Sequence, residues 1–232
     1  MVKKLLLSAF FLAIFLCSTG YSSEHRQNLI QEIEDTFAQD ILSSSEIFKK
    51  RKFYRKYPNK FEDGPAKIFL FHTNPELTLK AILGDENFLK INKQHTSELI
   101  EALENTFRRY AYEWLNSNLN TSLVLKKITL IDEKSAILVV ERNLKIVPDL
   151  DLKLFIKKNN DAWKVYDFGF WEFRYAKMKR GLYLRYLKKG DVEGLIDHLN
   201  RHQNSFRCAK HLRTGHVYDH EYDRATPPSR RE

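Results

Sequence analysis

Few side chains in this chain could do chemistry, and they are scattered. Asp167 stands inside Trp163-Lys164-Val165-Tyr166-Asp167-Phe168, where Trp163, Val165 and Asp167 alternate with Lys164, Tyr166 and Phe168 as in a half-buried strand. A carboxylate held in a sheet can serve as a general base when a histidine or second acid stands beside it. No such partner is visible near Asp167, so a hydrogen-bonded strand carboxylate is the simpler reading and general-base catalysis the alternative. Cys208, His211, His216 and His220 place four ligand-type groups within thirteen residues. Zinc accepts such donors, but this spacing matches no zinc motif and no metal site is assigned. His25, His72, His95, His198 and His202 have no cysteine or carboxylate at ligand spacing. A G-x-S-x-G elbow, an H-E-x-x-H helix, a phosphate loop and a dinucleotide fingerprint are all lacking. The expectation is a protein that is not an enzyme and carries no cofactor or metal.

The elements around Asp167 read as α+β. Glu24 to Phe48 carries Leu29, Ile33, Phe37 and Ile41 at a spacing of four, a helical stripe. Lys49 to Lys60 holds seven basic residues and no acid, either a solvated helix end or a docking patch for an anionic surface. Pro58 and Gly64-Pro65 read as turns. A helix begins after Asn74 with Pro75 in its first position and stops at Gly84. The strongest helix starts at Thr96-Ser97-Glu98 and runs to about Leu115, with Leu99, Leu103, Thr106, Phe107, Tyr110 and Trp114 on one stripe. Strand patterns then occupy Leu123 to Ile131, Ser135 to Leu144, Asp149 to Lys157 and the stretch from Asp161. Short turns join these four strands into an antiparallel meander with one apolar side, which the helices must cover. After an aromatic, basic connector come a helix through Leu182 and Leu187, a break at Lys189-Gly190, and a last helix capped by Asp191.

The two ends differ from the body. Lys3 and Lys4 precede the apolar run Leu5 to Cys17, and small residues follow, the pattern of a secretory signal peptide over residues 1–22. The run is too short for a membrane-spanning helix, which needs roughly 20 apolar residues. Residues 23–202 form the folded domain, and residues 203–232 read as a polar, disordered tail. The formal charge is +9, and loss of Lys3 and Lys4, with no acid before Glu24, leaves 9 − 2 = +7. Such a charge on an exported chain favours anionic lipid or acidic protein partners over nucleic acid. After loss of Cys17 only Cys208 remains, so no intramolecular disulfide can form.

Two longer stretches carry a family resemblance. AILGDENFLKINKQHTSELIEALENTFRRYAYEWL, residues 81–115, and WKVYDFGFWEFRYAKMKRGLYLRYLKKGDVEGLIDHL, residues 163–199, resemble the MlaC or toluene-tolerance family. In that family an apolar-Gly stretch, a polar cap and a long helix with a Tyr-rich end precede a Trp-x-x-Tyr-Asp signature and a closing helix. The order of elements matches over about residues 25–202. The chain departs from the pattern after Tyr166-Asp167, where Phe170-Trp171-Glu172-Phe173 replaces a Glu-Gly-Val-Ser-type turn.

The resemblance implies a monomeric periplasmic phospholipid shuttle. Its partners would be an inner-membrane ABC transporter complex of MCE type and an outer-membrane lipoprotein–porin complex, and its role the upkeep of outer-membrane lipid asymmetry. A carrier of another lipid, such as a hopanoid, and a small exported enzyme using Asp167 are the alternatives. The implied fold is a four-stranded, cone-like (cystatin-like) sheet under a mostly helical subdomain, with acyl chains between them. The implied lipid-binding residues are Leu79, Ile82, Leu83, Leu99, Leu103, Phe107 and Tyr110 on helices. On strands they are Leu138, Val140, Leu152, Leu154, Ile156, Trp163, Val165, Tyr166 and Phe168. Arg174, Lys177 and Arg180 would lie near the headgroup.

Overall fold

The computed structural model describes residues 2–116, 121–144 and 151–209. The first helical stripe buries Leu29, Ile33, Phe37, Ile41 and Phe48 on α1, Val2–Lys49. Side chains of residues 2–22 lie outside the described residues, and with them the reading of that segment as an export signal. Among the described residues no helix is long and apolar enough to cross a membrane. Three short helices follow: α2 Arg51–Lys56, α3 Pro58–Asp63 and α4 Pro65–His72. Pro58 and Pro65, expected as turns, each open a helix, because the N–H that proline lacks has no partner at a first helical position anyway.

Helix α5, Pro75–Leu83, begins where Asn74 Oδ1 accepts from the Leu77 N–H at 3.0 Å. It ends at Gly84, whose φ of 79° suits glycine. After α6, Asp85–Leu89, comes the long α7, Lys93–Asn116.

The sheet is antiparallel in the order β1-β2-β3-β4-β5. Its strands are β1 Thr121–Asp132, β2 Ser135–Leu144, β3 Leu152–Asn159, β4 Ala162–Phe170 and β5 Phe173–Arg174. The expected meander of four strands thus gains a short fifth. Trp171, at φ 50°, helps turn the chain back so that Gly169 pairs with Arg174. A Cβ at Gly169 would stand 2.0 Å from the Phe173 carbonyl oxygen, so only glycine admits this hairpin.

A second departure lies inside β4. Ile156 pairs with Val165, but the preceding Phe155 pairs with Asp167, so a bulge leaves Tyr166 over. The bulge changes the phase of the strand. Trp163 and Val165 share the face of Ile156, whereas beyond the bulge Phe168 and Phe170 join the face of Leu154 and Leu152. Asp167 is thereby set opposite Phe155, not in line with Trp163 and Val165 as simple alternation predicts.

Helix α8, Tyr175–Lys188, and α9, Val192–Ala209, close the fold. Asp191 Oδ1 accepts from the Gly194 N–H at 2.9 Å, the expected cap. Helix α9 continues past Gln203, where the tail was expected to begin. Residues 210–232, with His211, His216 and His220, lie outside the described residues.

Two cores result. The first packs α1 and the C-terminal half of α7, through Ala111 and Leu115, against the sheet residues Leu123, Ala136, Leu138, Val140, Ile156, Trp163 and Val165. The second gathers α5, the N-terminal half of α7, α8 and α9 around Leu79, Leu83, Leu103, Tyr183 and Leu195. Helix α7 serves both.

Candidate functional site

A cavity of about 440 Å³ opens where the two cores meet along α7. Helix α1 contributes Phe37, Ile41, Ser44 and Ile47, and α7 contributes Phe107, Tyr110, Ala111 and Trp114. The sheet contributes Leu123, Val140, Leu152, Leu154, Val165, Tyr166, Phe168 and Phe170, with Leu70 and Thr73 at the α4 end and Thr78 from α5. The backbone between α4 and α5 is pinned to this wall by the Asn74 N–H, which donates to the Val165 carbonyl at 2.9 Å.

The charged groups bordering the cavity are all paired. Asp40 Oδ2 meets His72 Nε2 at 2.5 Å, tying α1 to α4, and Glu113 lies 3.5 Å from Arg109. Asp167, 1% exposed, is held by three donors. Its Oδ1 accepts from the N–H groups of Phe168 and Ala176 at 2.9 and 3.0 Å, and its Oδ2 from Arg174 Nε at 2.8 Å. Ala176 lies in the first turn of α8, so Asp167 caps that helix from a neighbouring strand and sits favourably at the positive end of its dipole. A carboxylate so engaged is a joint between β4, β5 and α8. The cavity is left with walls of hydrocarbon and aromatic rings and no unpartnered charge among the described lining residues.

The expected site residues divide in two. Phe107, Tyr110, Val140, Leu152, Leu154, Val165, Tyr166 and Phe168 come together on the cavity wall. Leu79, Ile82, Leu83, Leu99 and Leu103 pack in the second core, while Leu138, Ile156 and Trp163 pack in the first, deeper along the strands. Arg174 stacks its guanidinium 4.0 Å over the Phe155 ring as well as binding Asp167. Lys177 and Arg180 are exposed on α8 and do not border the cavity.

Sequence reasoning did not assign α1 to the wall, although its Phe37 and Ile41 stripe was visible. It also had no signal for the α4 residues. Below the cavity Phe168 stacks on Tyr175 at 4.9 Å, and Tyr110 and Tyr183 stand near it. Burial pushes the Tyr175 and Tyr183 phenols up, and the neighbouring Tyr110 acts in the same direction. These rings stay neutral across the physiological range. Among the described residues no group of three or more His, Cys, Asp or Glu is placed to hold a metal.

An antiparallel sheet and a helical cover around an apolar cavity define the class as an α+β fold. Neither a protein-family model nor a curated protein matches the chain. Among solved structures it is similar to the phospholipid-binding protein from Ralstonia solanacearum, solved in complex with a phospholipid. The two share 16% identity at a TM-score of 0.50, over 75% of this chain and 94% of that one. At that identity the likeness concerns the fold. The resemblance drawn from residues 81–115 and 163–199 is therefore met at the level of architecture.

Proposed function

We propose that this chain is a non-enzymatic lipid carrier of the periplasm, a monomer that shields acyl chains in the cavity between sheet and helices. The observation that carries the reading is the cavity itself, about 440 Å³ and walled by Phe, Leu, Val and Trp side chains with every bordering charge paired. It falls within the roughly 300–1,000 Å³ of typical ligand sites. A two-chain phospholipid has about thirty methylenes, each worth roughly 0.8 kcal/mol on leaving water, so an unshielded lipid costs on the order of 25 kcal/mol. A soluble chain that encloses this hydrocarbon removes most of that barrier to crossing an aqueous space. An apolar wall without lone charges also holds lipid no more tightly than a bilayer does, which lets the lipid leave again.

The shared fold with a phospholipid-binding protein supports the ligand class, and the pattern of residues 1–22 supports export. Exchange with an inner-membrane ABC transporter complex and an outer-membrane lipoprotein–porin complex, in the upkeep of lipid asymmetry, is the role that fits such a carrier.

The test is to purify the chain from cells without detergent, extract it, and identify bound lipid by mass spectrometry. One phospholipid per chain is expected. Absence of lipid from both the native protein and protein incubated with phospholipid vesicles would overturn the reading.

A further inference from the structure

The basic run that follows α1 takes a defined shape in the fold. Lys49, Lys50, Lys52, Lys56 and Lys60 are exposed, and no acid lies between Glu46 and Glu62 in the sequence. Two aromatic rings stand out among them. Phe53 is 48% exposed and Tyr57 46%, with their centroids 5.1 Å apart. These rings are tied to the body by a run of edge contacts: Phe53 to Tyr54 at 5.4 Å, Tyr54 to buried Phe61 at 5.9 Å, and Phe61 to Tyr112 of α7 at 5.6 Å. Alongside, Phe48 meets Trp114 at 5.2 Å, and Trp114 and Ile47 both border the cavity. The patch therefore rests on the same two helices that wall the cavity.

We propose that this patch docks the chain on the surface of an anionic lipid bilayer. Clustered lysines with exposed aromatic rings are the chemistry of such a surface: the ammonium groups meet lipid phosphates while the rings settle at headgroup depth. A half-exposed Phe–Tyr pair interleaved with cations suits a surface that is anionic at its face and apolar just beneath it, which an acidic protein face is not. Charge complementarity thus selects the bilayer. Because the patch follows directly on the end of α1, on α2 and α3 just beyond Ile47 and Phe48, docking sets the cavity wall next to the membrane from which lipid is drawn or to which it returns. The proposal rests on the lipid-carrier reading for its purpose, but the two can fail separately.

The experiment is vesicle flotation of the purified chain. Vesicles of phosphatidylethanolamine with phosphatidylglycerol are compared with vesicles of phosphatidylcholine, at low and at high salt. The chain is expected to float with the anionic vesicles at low salt and to lose at least tenfold in partitioning on phosphatidylcholine or at high salt. Lys50→Gln with Lys52→Gln and Lys56→Gln should reproduce that loss, and Phe53→Ser with Tyr57→Ser should weaken binding at unchanged charge. Both variants alter exposed positions, and circular dichroism together with extracted lipid content should match the wild type. Failure of the wild-type chain to float with anionic vesicles, or unchanged flotation of the charge variant, overturns the docking proposal and turns the patch toward an acidic protein face. Extracted lipid at wild-type level in that case leaves the carrier reading standing, whereas lipid-free protein that still floats would remove the carrier reading alone.

Discussion

At the scale of single residues, Asp167 shows how far types and spacing reach. Its neighbours in sequence suggested a hydrogen-bonded strand carboxylate, and that much was legible. Its actual partners were not, because the Ala176 N–H and Arg174 reach it only after the chain reverses at Trp171 and a bulge turns the side chain toward Phe155. Two of its three bonds come from backbone N–H groups, and the third is charge-assisted. Asp167→Asn keeps the shape, but its NH₂ group cannot accept from one of these donors. The expected outcome is a folded protein that is less stable by about 1–3 kcal/mol, with lipid content unchanged. Urea unfolding followed by circular dichroism measures the first, and lipid extraction the second. A wild-type unfolding midpoint in the variant would mean that the joint does not hold the β4–α8 junction.

At the scale of elements, alternation in Leu152, Leu154 and Ile156 correctly placed a strand with one apolar face, and the α7 stripe correctly placed a long helix. What periodicity could not say is which apolar residues make core and which make cavity wall. Both need the same side chains at the same spacing, and position along the element decides between them. On β3, Leu152 and Leu154 face the cavity, while Ile156, two residues on, is fully buried in the first core. On α7, Leu99 and Leu103 are core and Phe107 and Tyr110 are wall, one turn further along. This division separates two substitutions that look equivalent in the sequence. Leu154→Asp places a carboxylate where water can still reach it and is expected to leave the fold intact while lowering lipid occupancy at least tenfold. Leu103→Asp buries a charge at a position with 0% exposure and is expected to destabilise by several kcal/mol, so that little folded protein is recovered. Lipid-to-protein ratio and yield of folded protein read the two outcomes. Equal loss of fold in both variants would erase the distinction between wall and core.

At the scale of the molecule, the cavity sits on the seam between two hydrophobic cores that share α7, so a ligand held there would border both. Helix α1 and the sheet form one side, α7 crosses behind, and the Asp40–His72 pair and the Lys158–Glu32 pair, the latter at 2.7 Å, hold α1 in place. An apolar ligand in that seam supplies contacts that the empty protein lacks, and it binds the folded chain but not the unfolded one. Linkage then requires that loading raise stability by RT ln(1 + [L]/Kd), about 2.7 kcal/mol when free ligand stands a hundredfold above Kd. For a domain of about 200 residues each kcal/mol moves the midpoint by roughly 2–4 °C. The lipid-loaded chain is therefore expected to melt about 5–10 °C above the same protein stripped of lipid by organic extraction and refolding. The wall residue Trp114 gives the measurement a local reporter, since filling the cavity changes the surroundings of its indole while Trp163 stays buried in the core. Differential scanning calorimetry with tryptophan emission on matched loaded and stripped samples reads both. Coincident melting of the two samples, with tryptophan emission unchanged by loading, would show that the seam does not take lipid, however apolar its walls are.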